Sequence, residues 1–87
     1  MKIEKSAAAG TLESSDCLVT IEPEDDGITL EIDSVVLTQY GDEIRRTVLD
    51  TLRSLQVDSA CIHVQDKGAL NCVVAARVET AVKRATS

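Results

Sequence analysis

Apolar and polar residues alternate along three short stretches of this chain and recur at helical spacing along two longer ones. From residue 17 the period is two, with Cys17, Val19 and Ile21 on one face and Leu18, Thr20 and Glu22 on the other, which predicts a half-buried strand over 17–22. Residues 28–33 repeat the pattern, Ile28, Leu30 and Ile32 against Thr29, Glu31 and Asp33, and predict a second strand. A third, over 59–65, turns Ala60, Ile62 and Val64 inward and Cys61 and His63 outward. Pro23-Glu24-Asp25-Asp26-Gly27 has the composition of a turn, because proline presets one backbone angle and glycine accepts positive φ, and is expected to close the first two strands into a hairpin. Asp66-Lys67-Gly68 ends the third strand in the same way.

After Ser34 the period changes. Leu37, Tyr40, Ile44, Val48, Leu52 and Leu55 follow at three- and four-residue steps, predicting a helix of about five turns with one apolar stripe. Ser34 is favoured over Asp42 as its cap, which leaves Gly41 inside the helix at a cost of about 1 kcal/mol. From Ala69 a second stripe, Leu70, Val73, Val74, Val78, Ala81 and Val82, runs to Lys83 and Arg84, whose charge suits a helix C-terminus. The order strand-strand-helix-strand-helix predicts an α+β domain, a two-layer sandwich with two helices on one face of a small mixed sheet. Residues 1–16 are small and polar without sustained periodicity, so they are expected to form a flexible N-terminal segment leading into a single domain over 17–87.

Composition narrows the picture. The 87 residues suffice for one core, and with Tyr40 the sole aromatic residue that core must be aliphatic. Nine Lys and Arg against fifteen Asp and Glu leave a net charge of −6, which repels nucleic acid and anionic lipid and argues against both as partners. No apolar run approaches the roughly 20 residues of a membrane span, and residues 1–10 lack the layout of a secretory signal, so a cytoplasmic location is expected. Cys17, Cys61 and Cys72 form neither a close pair nor a metal-ligand spacing and read as reduced thiols.

Candidate chemistry is sparse. The single histidine, His63, shares a strand face with Cys61 and lies near Asp66; an outward pair of this kind is usually plain sheet surface rather than a nucleophile and its base. Neither CxxC nor HxxxH is present, so no metal site is expected. Glu22, Glu24, Asp25 and Asp26 lack calcium-loop spacing, and the four scattered glycines form no phosphate cradle. What remains is a cluster of hydroxyls, Thr11, Ser14 and Ser15 beside Glu13 and Asp16, placed just before the first strand, where a modifying enzyme could reach a serine without disturbing the core.

Ala9-Gly10-Thr11-Leu12-Glu13-Ser14-Ser15-Asp16, Gly41-Asp42-Glu43-Ile44-Arg45 and Asp66-Lys67-Gly68-Ala69-Leu70 with Ala76-Arg77 closely resemble the acyl carrier, or gamma, subunit of citrate lyase, over almost the whole chain. The resemblance implies a carrier without a catalytic centre. It further implies that Ser14 bears 2'-(5''-phosphoribosyl)-3'-dephospho-CoA through a phosphodiester, with acetyl and citryl groups held on the thiol of that arm. The implied partners are the alpha (transferase) and beta (lyase) subunits, together with a prosthetic-group transferase. Two other readings stay open. Asp33-Ser34-Val35 imitates the phosphopantetheine site of ordinary acyl carriers at Ser34, although those are helical bundles. An acidic domain that binds a partner noncovalently, with its serines bare, fits the composition too.

Overall fold

The computed structural model describes residues 2–34 and 37–87, and their side chains apart from those of 37–41. Among them, four strands and two helices form, in the order β1 (Ala7–Gly10), β2 (Cys17–Glu22), β3 (Ile28–Ser34), α1 (Leu37–Ser54), β4 (Ala60–Asp66) and α2 (Asn71–Thr86). The alternation read from the sequence is the alternation observed. Cys17, Val19 and Ile21 of β2 and Ala60, Ile62 and Val64 of β4 are buried, while Ile28, Leu30 and Ile32 of β3 are half-buried against them. Their neighbours face solvent on a side of the sheet that neither helix covers.

Two expectations need correcting. Pro23 to Gly27 does not close a hairpin: the strand order is β1-β2-β4-β3, so β4 lies between the strands that this turn connects. β4 pairs antiparallel with β2 and parallel with β3, and α1 supplies the crossover that a parallel β3–β4 pair requires. The hairpin partner of β2 is instead β1, antiparallel, with Ala9 opposite Val19, in a stretch that the sequence places in a flexible leader. Ala-Ala-Ala-Gly carries no strand signature of its own. It is a strand because β2 offers an open edge and because small side chains admit α2 close to the sheet, as the burial of Ala9 shows. Ile3 joins the core as well, Glu4 N–H reaches the carbonyl of Ala85 at 3.4 Å, and the Arg84 guanidinium donates to the carbonyl of Ala8 at 2.8 Å.

Both helices lay most of their predicted stripes on one face of the sheet, but Leu70, expected in the second stripe, precedes α2 and is 70% exposed. Ile44, Val48 and Leu52 of α1 and Val74, Val78, Ala81, Val82 and Ala85 of α2 are buried, each of the larger aliphatics contributing roughly 1.5–3 kcal/mol of transfer free energy. Leu37, Tyr40 and Gly41 lie outside the described side chains. α1 begins at Leu37, nearer the earlier of the two predicted starts, yet Ser34 is the last residue of β3 rather than a described helix cap. At its other end Gln56 takes φ 59°, Gln56 N–H bonds Arg53 C=O at 3.0 Å and Val57 N–H bonds Leu52 C=O at 2.9 Å. This left-handed closure turns the chain into β4. No described helix is long and apolar enough to cross a membrane.

Candidate functional site

The hydroxyl cluster sits in the turn over residues 11–16 that joins β1 to β2. Gly10 enters it at φ 99°, and a Cβ there would collide with the carbonyl oxygen of Cys17, so only glycine permits the strands to close at this point. Thr11 N–H then bonds Cys17 C=O at 3.2 Å, and Asp16 N–H bonds Glu13 C=O at 3.2 Å. Residues 13–16 are therefore a β-turn with Ser14 and Ser15 at its two central positions, and Ser15, at φ 66°, takes the left-handed corner. Ser14 and Ser15 are both exposed, and among the described residues no hydrogen bond reaches either hydroxyl.

The turn is held from beneath. Asp16 accepts from Thr11 Oγ1 at 2.7 Å and from its neighbour Cys17 N–H at 2.7 Å, and the Arg77 guanidinium of α2 clasps both of its oxygens at 3.0 Å. Glu13 N–H donates to Thr11 Oγ1 at 3.2 Å. The hydrogen bonds from Arg77, then those from Thr11 and the Cys17 amide, pull the Asp16 carboxyl from its ordinary 3.8 down to about 2, because each donor favours the charged form. The Arg77 guanidinium is held correspondingly above its usual value by the same pair. Burial, reinforced by the nearby Asp16 and Asp66 carboxylates, pushes the Cys17 thiol up to about 11.

The turn also rests on the loop after β4. Ser15 N–H bonds Lys67 C=O and Lys67 N–H bonds Asp16 C=O, both at 2.9 Å, continuing the β2–β4 ladder past its last register pair, Cys17 with Asp66. Asp66 is itself 1% exposed. Its carboxylate accepts from Gly68 N–H at 3.2 Å, Ala69 N–H at 2.9 Å and Ser34 Oγ at 2.7 Å, so one buried group shapes the 66–70 loop and ties down the end of β3. Beside that loop a groove of about 360 Å³ opens between Ile44, Ala69, Leu70, Glu43 and Asn71.

The remaining sequence candidates are not brought together. Asp66 points into the core while Cys61 and His63 face the open side of the sheet, and His63 pairs instead with Asp33, Nε2 to Oδ2 at 2.7 Å. Glu31 stands in the same exposed group with Asp33 and His63, a solvated charge cluster on the uncovered face. The Asp16–Arg77 pair and the buried Asp66 escaped the sequence reading. The only signal for either was an acidic residue at the end of a predicted strand, with no pointer to its partner.

A profile of the family described as "ACP: Malonate decarboxylase delta subunit (MdcD)" matches residues 4–85. The citrate lyase acyl carrier protein of Vibrio cholerae is 56% identical over 98% of this chain and 88% of its own length. Those of Rhodopseudomonas palustris and Clostridium perfringens are 52% and 51% identical, over 98% and 99% of this chain and 88% and 86% of their own. The chain belongs to the citrate lyase acyl carrier family. A solved structure of a Pseudomonas malonate decarboxylase hetero-tetramer in complex with malonate contains a chain with the same fold, at TM-score 0.81 and 22% identity, aligned over 97% of this carrier and 87% of that chain. Family membership makes this chain a non-catalytic acyl carrier subunit.

Proposed function

We propose that this protein is the acyl carrier subunit of a citrate lyase complex, and that Ser14 is the attachment point of a covalent phosphoribosyl-dephospho-CoA arm. Family membership supports the carrier role. The turn supports an anchor here, because it exposes the hydroxyls of Ser14 and Ser15 on a loop clamped to the domain, and the resemblance of the 9–16 motif to the carrier family favours Ser14 of the two. Ser34, the rival anchor, is half-buried at the end of β3 with its hydroxyl on Asp66, in a four-stranded sheet rather than a helical bundle.

The residues present suit a tether. When attached, the arm supplies a thiol that holds acetyl or citryl groups as thioesters. In loading, Ser14 Oγ would be the atom that takes the arm, displacing the leaving phosphate of an activated phosphoric anhydride donor, and the serine proton would pass to a base of the transferase. Asp16 is not free to act as that base, because its carboxylate is engaged by Arg77 and Thr11 and held near 2. Tethering keeps the cargo at high effective concentration near the alpha and beta subunits, so the carrier needs no catalytic residues for the exchange of acetyl for citryl and the cleavage to oxaloacetate.

Intact mass and peptide mapping on carrier taken from cells that express the whole operon test the assignment. The expected result is a mass increment on the peptide containing Ser14, and its loss in Ser14→Ala with an unchanged melting midpoint. An increment on any other residue, or an active complex whose carrier is bare, overturns it; the bare result would favour the noncovalent interaction domain.

A further inference from the structure

Among the described residues the exposed large hydrophobics are Leu12, 51% exposed, and Leu70, 70% exposed. Single exposed leucines need no explanation. These two come from opposite ends of the chain, yet they lie on the two loops that the Ser15–Lys67 and Lys67–Asp16 hydrogen bonds join, two residues from Ser14 in one case and three from Lys67 in the other. Leu70 also walls the 360 Å³ groove with Ile44 and Ala69. The exposed charges on these loops and on the groove rim are Glu13, Lys67 and Glu43, two carboxylates against one ammonium, on a chain of net charge −6.

We propose that the transferase that loads Ser14 docks on a folded surface made by Leu12 of the clamped turn and the Leu70 groove of the loop it rests on, through an apolar contact with a cationic rim. The inference rests on Ser14 being the anchor. An enzyme whose reacting atoms reach Ser14 Oγ must cover this turn and the loop beneath it, and the two exposed leucines among the described residues lie there. Recognition then depends on the tertiary arrangement, since Leu70 is adjacent to Ser14 in no linear sense. The few energetically dominant contacts of an interface concentrate near its centre, in pockets that the partner desolvates.

The test is the initial rate of mass gain of full-length, unloaded carrier with purified transferase and its activated arm donor. Leu70→Ala and Leu12→Ala are expected to raise KM about tenfold each with kcat within about twofold. Melting midpoints should stay close to wild type, because both side chains are more than half exposed. Leu70→Met, which keeps an apolar contact on the same backbone, should restore KM to near the wild-type value, and Glu31→Gln on the uncovered sheet face should leave it unchanged. Wild-type KM in both alanine variants, while wild-type carrier gains mass on Ser14, overturns the docking surface and leaves the anchor standing. An equal rise in KM for Glu31→Gln overturns it too, by moving the contact to the open sheet. Absence of mass gain on Ser14 in the wild type overturns the anchor and the surface together.

Discussion

Two polar connections of similar length, one at each end of the sheet, have opposite constructions. The turn over 11–16 is stitched to β2, to the loop after β4 and to α2 by backbone bonds, a threonine hydroxyl and a bidentate arginine. The connection over 23–27 has a carboxylate of Glu24 on the Asp25 amide at 3.1 Å and an Ala60 N–H to Gly27 C=O bond at 3.1 Å, and its acidic side chains stand in solvent. Both are rich in the same residue types. The difference teaches that a loop which only spans from β2 over the end of β4 to β3 needs no internal frame, whereas the turn over 11–16 is built on the domain while the hydroxyls of Ser14 and Ser15 stay exposed at its centre.

The comparison breaks most easily at its glycines. Gly10→Ala meets both the positive φ of 99° and the Cys17 carbonyl, so a loss of about 3–4 kcal/mol is expected in chemical denaturation. Gly27→Ala meets an unfavourable φ of 78° but open space, and about 1–2 kcal/mol is expected. Equal losses at the two sites would mean that the first turn is no more tightly constructed than the second.

A smaller effect follows from Asp16. Its folded value of about 2 lies below the ordinary 3.8, so the unfolded chain binds a proton first as pH falls. The clamp therefore stabilises the fold above about pH 4, and that contribution is lost as pH drops through about 2. Thermal melts of wild type and Asp16→Asn should differ most at pH 7, and the gap should shrink strongly as pH falls from about 4 towards 2. A difference that persists undiminished at pH 2 would remove the carboxylate charge from the account.

The subtlest check uses the cysteines as reporters. Cys17 directly follows the clamped turn, is fully buried, and has a thiol raised to about 11, whereas Cys72 is exposed. Iodoacetamide at pH 8 should alkylate Cys72 in the native protein and reach Cys17 only on unfolding. Native-state labelling of Cys17 would show the turn opening as a freely moving arm, and would erase the contrast between the two ends of the sheet.

Much of this molecule is legible in its sequence. The alternation over 17–22 sets β2 residue for residue, the two apolar stripes place both helices, and the motif around Ser14 points to the candidate anchor. These follow from side-chain period and local chemistry, which each segment carries in itself. Four features were decided only by the tertiary structure: the β1 strand in an alanine run, the insertion of β4 between β2 and β3, the burial of Asp66, and the grip of Arg77 on Asp16 across 61 residues. Each depends on which edge, amide or carboxylate the folded chain leaves in need of a partner. A short polar or small-residue segment holds no record of that need, because its structure comes from what it meets.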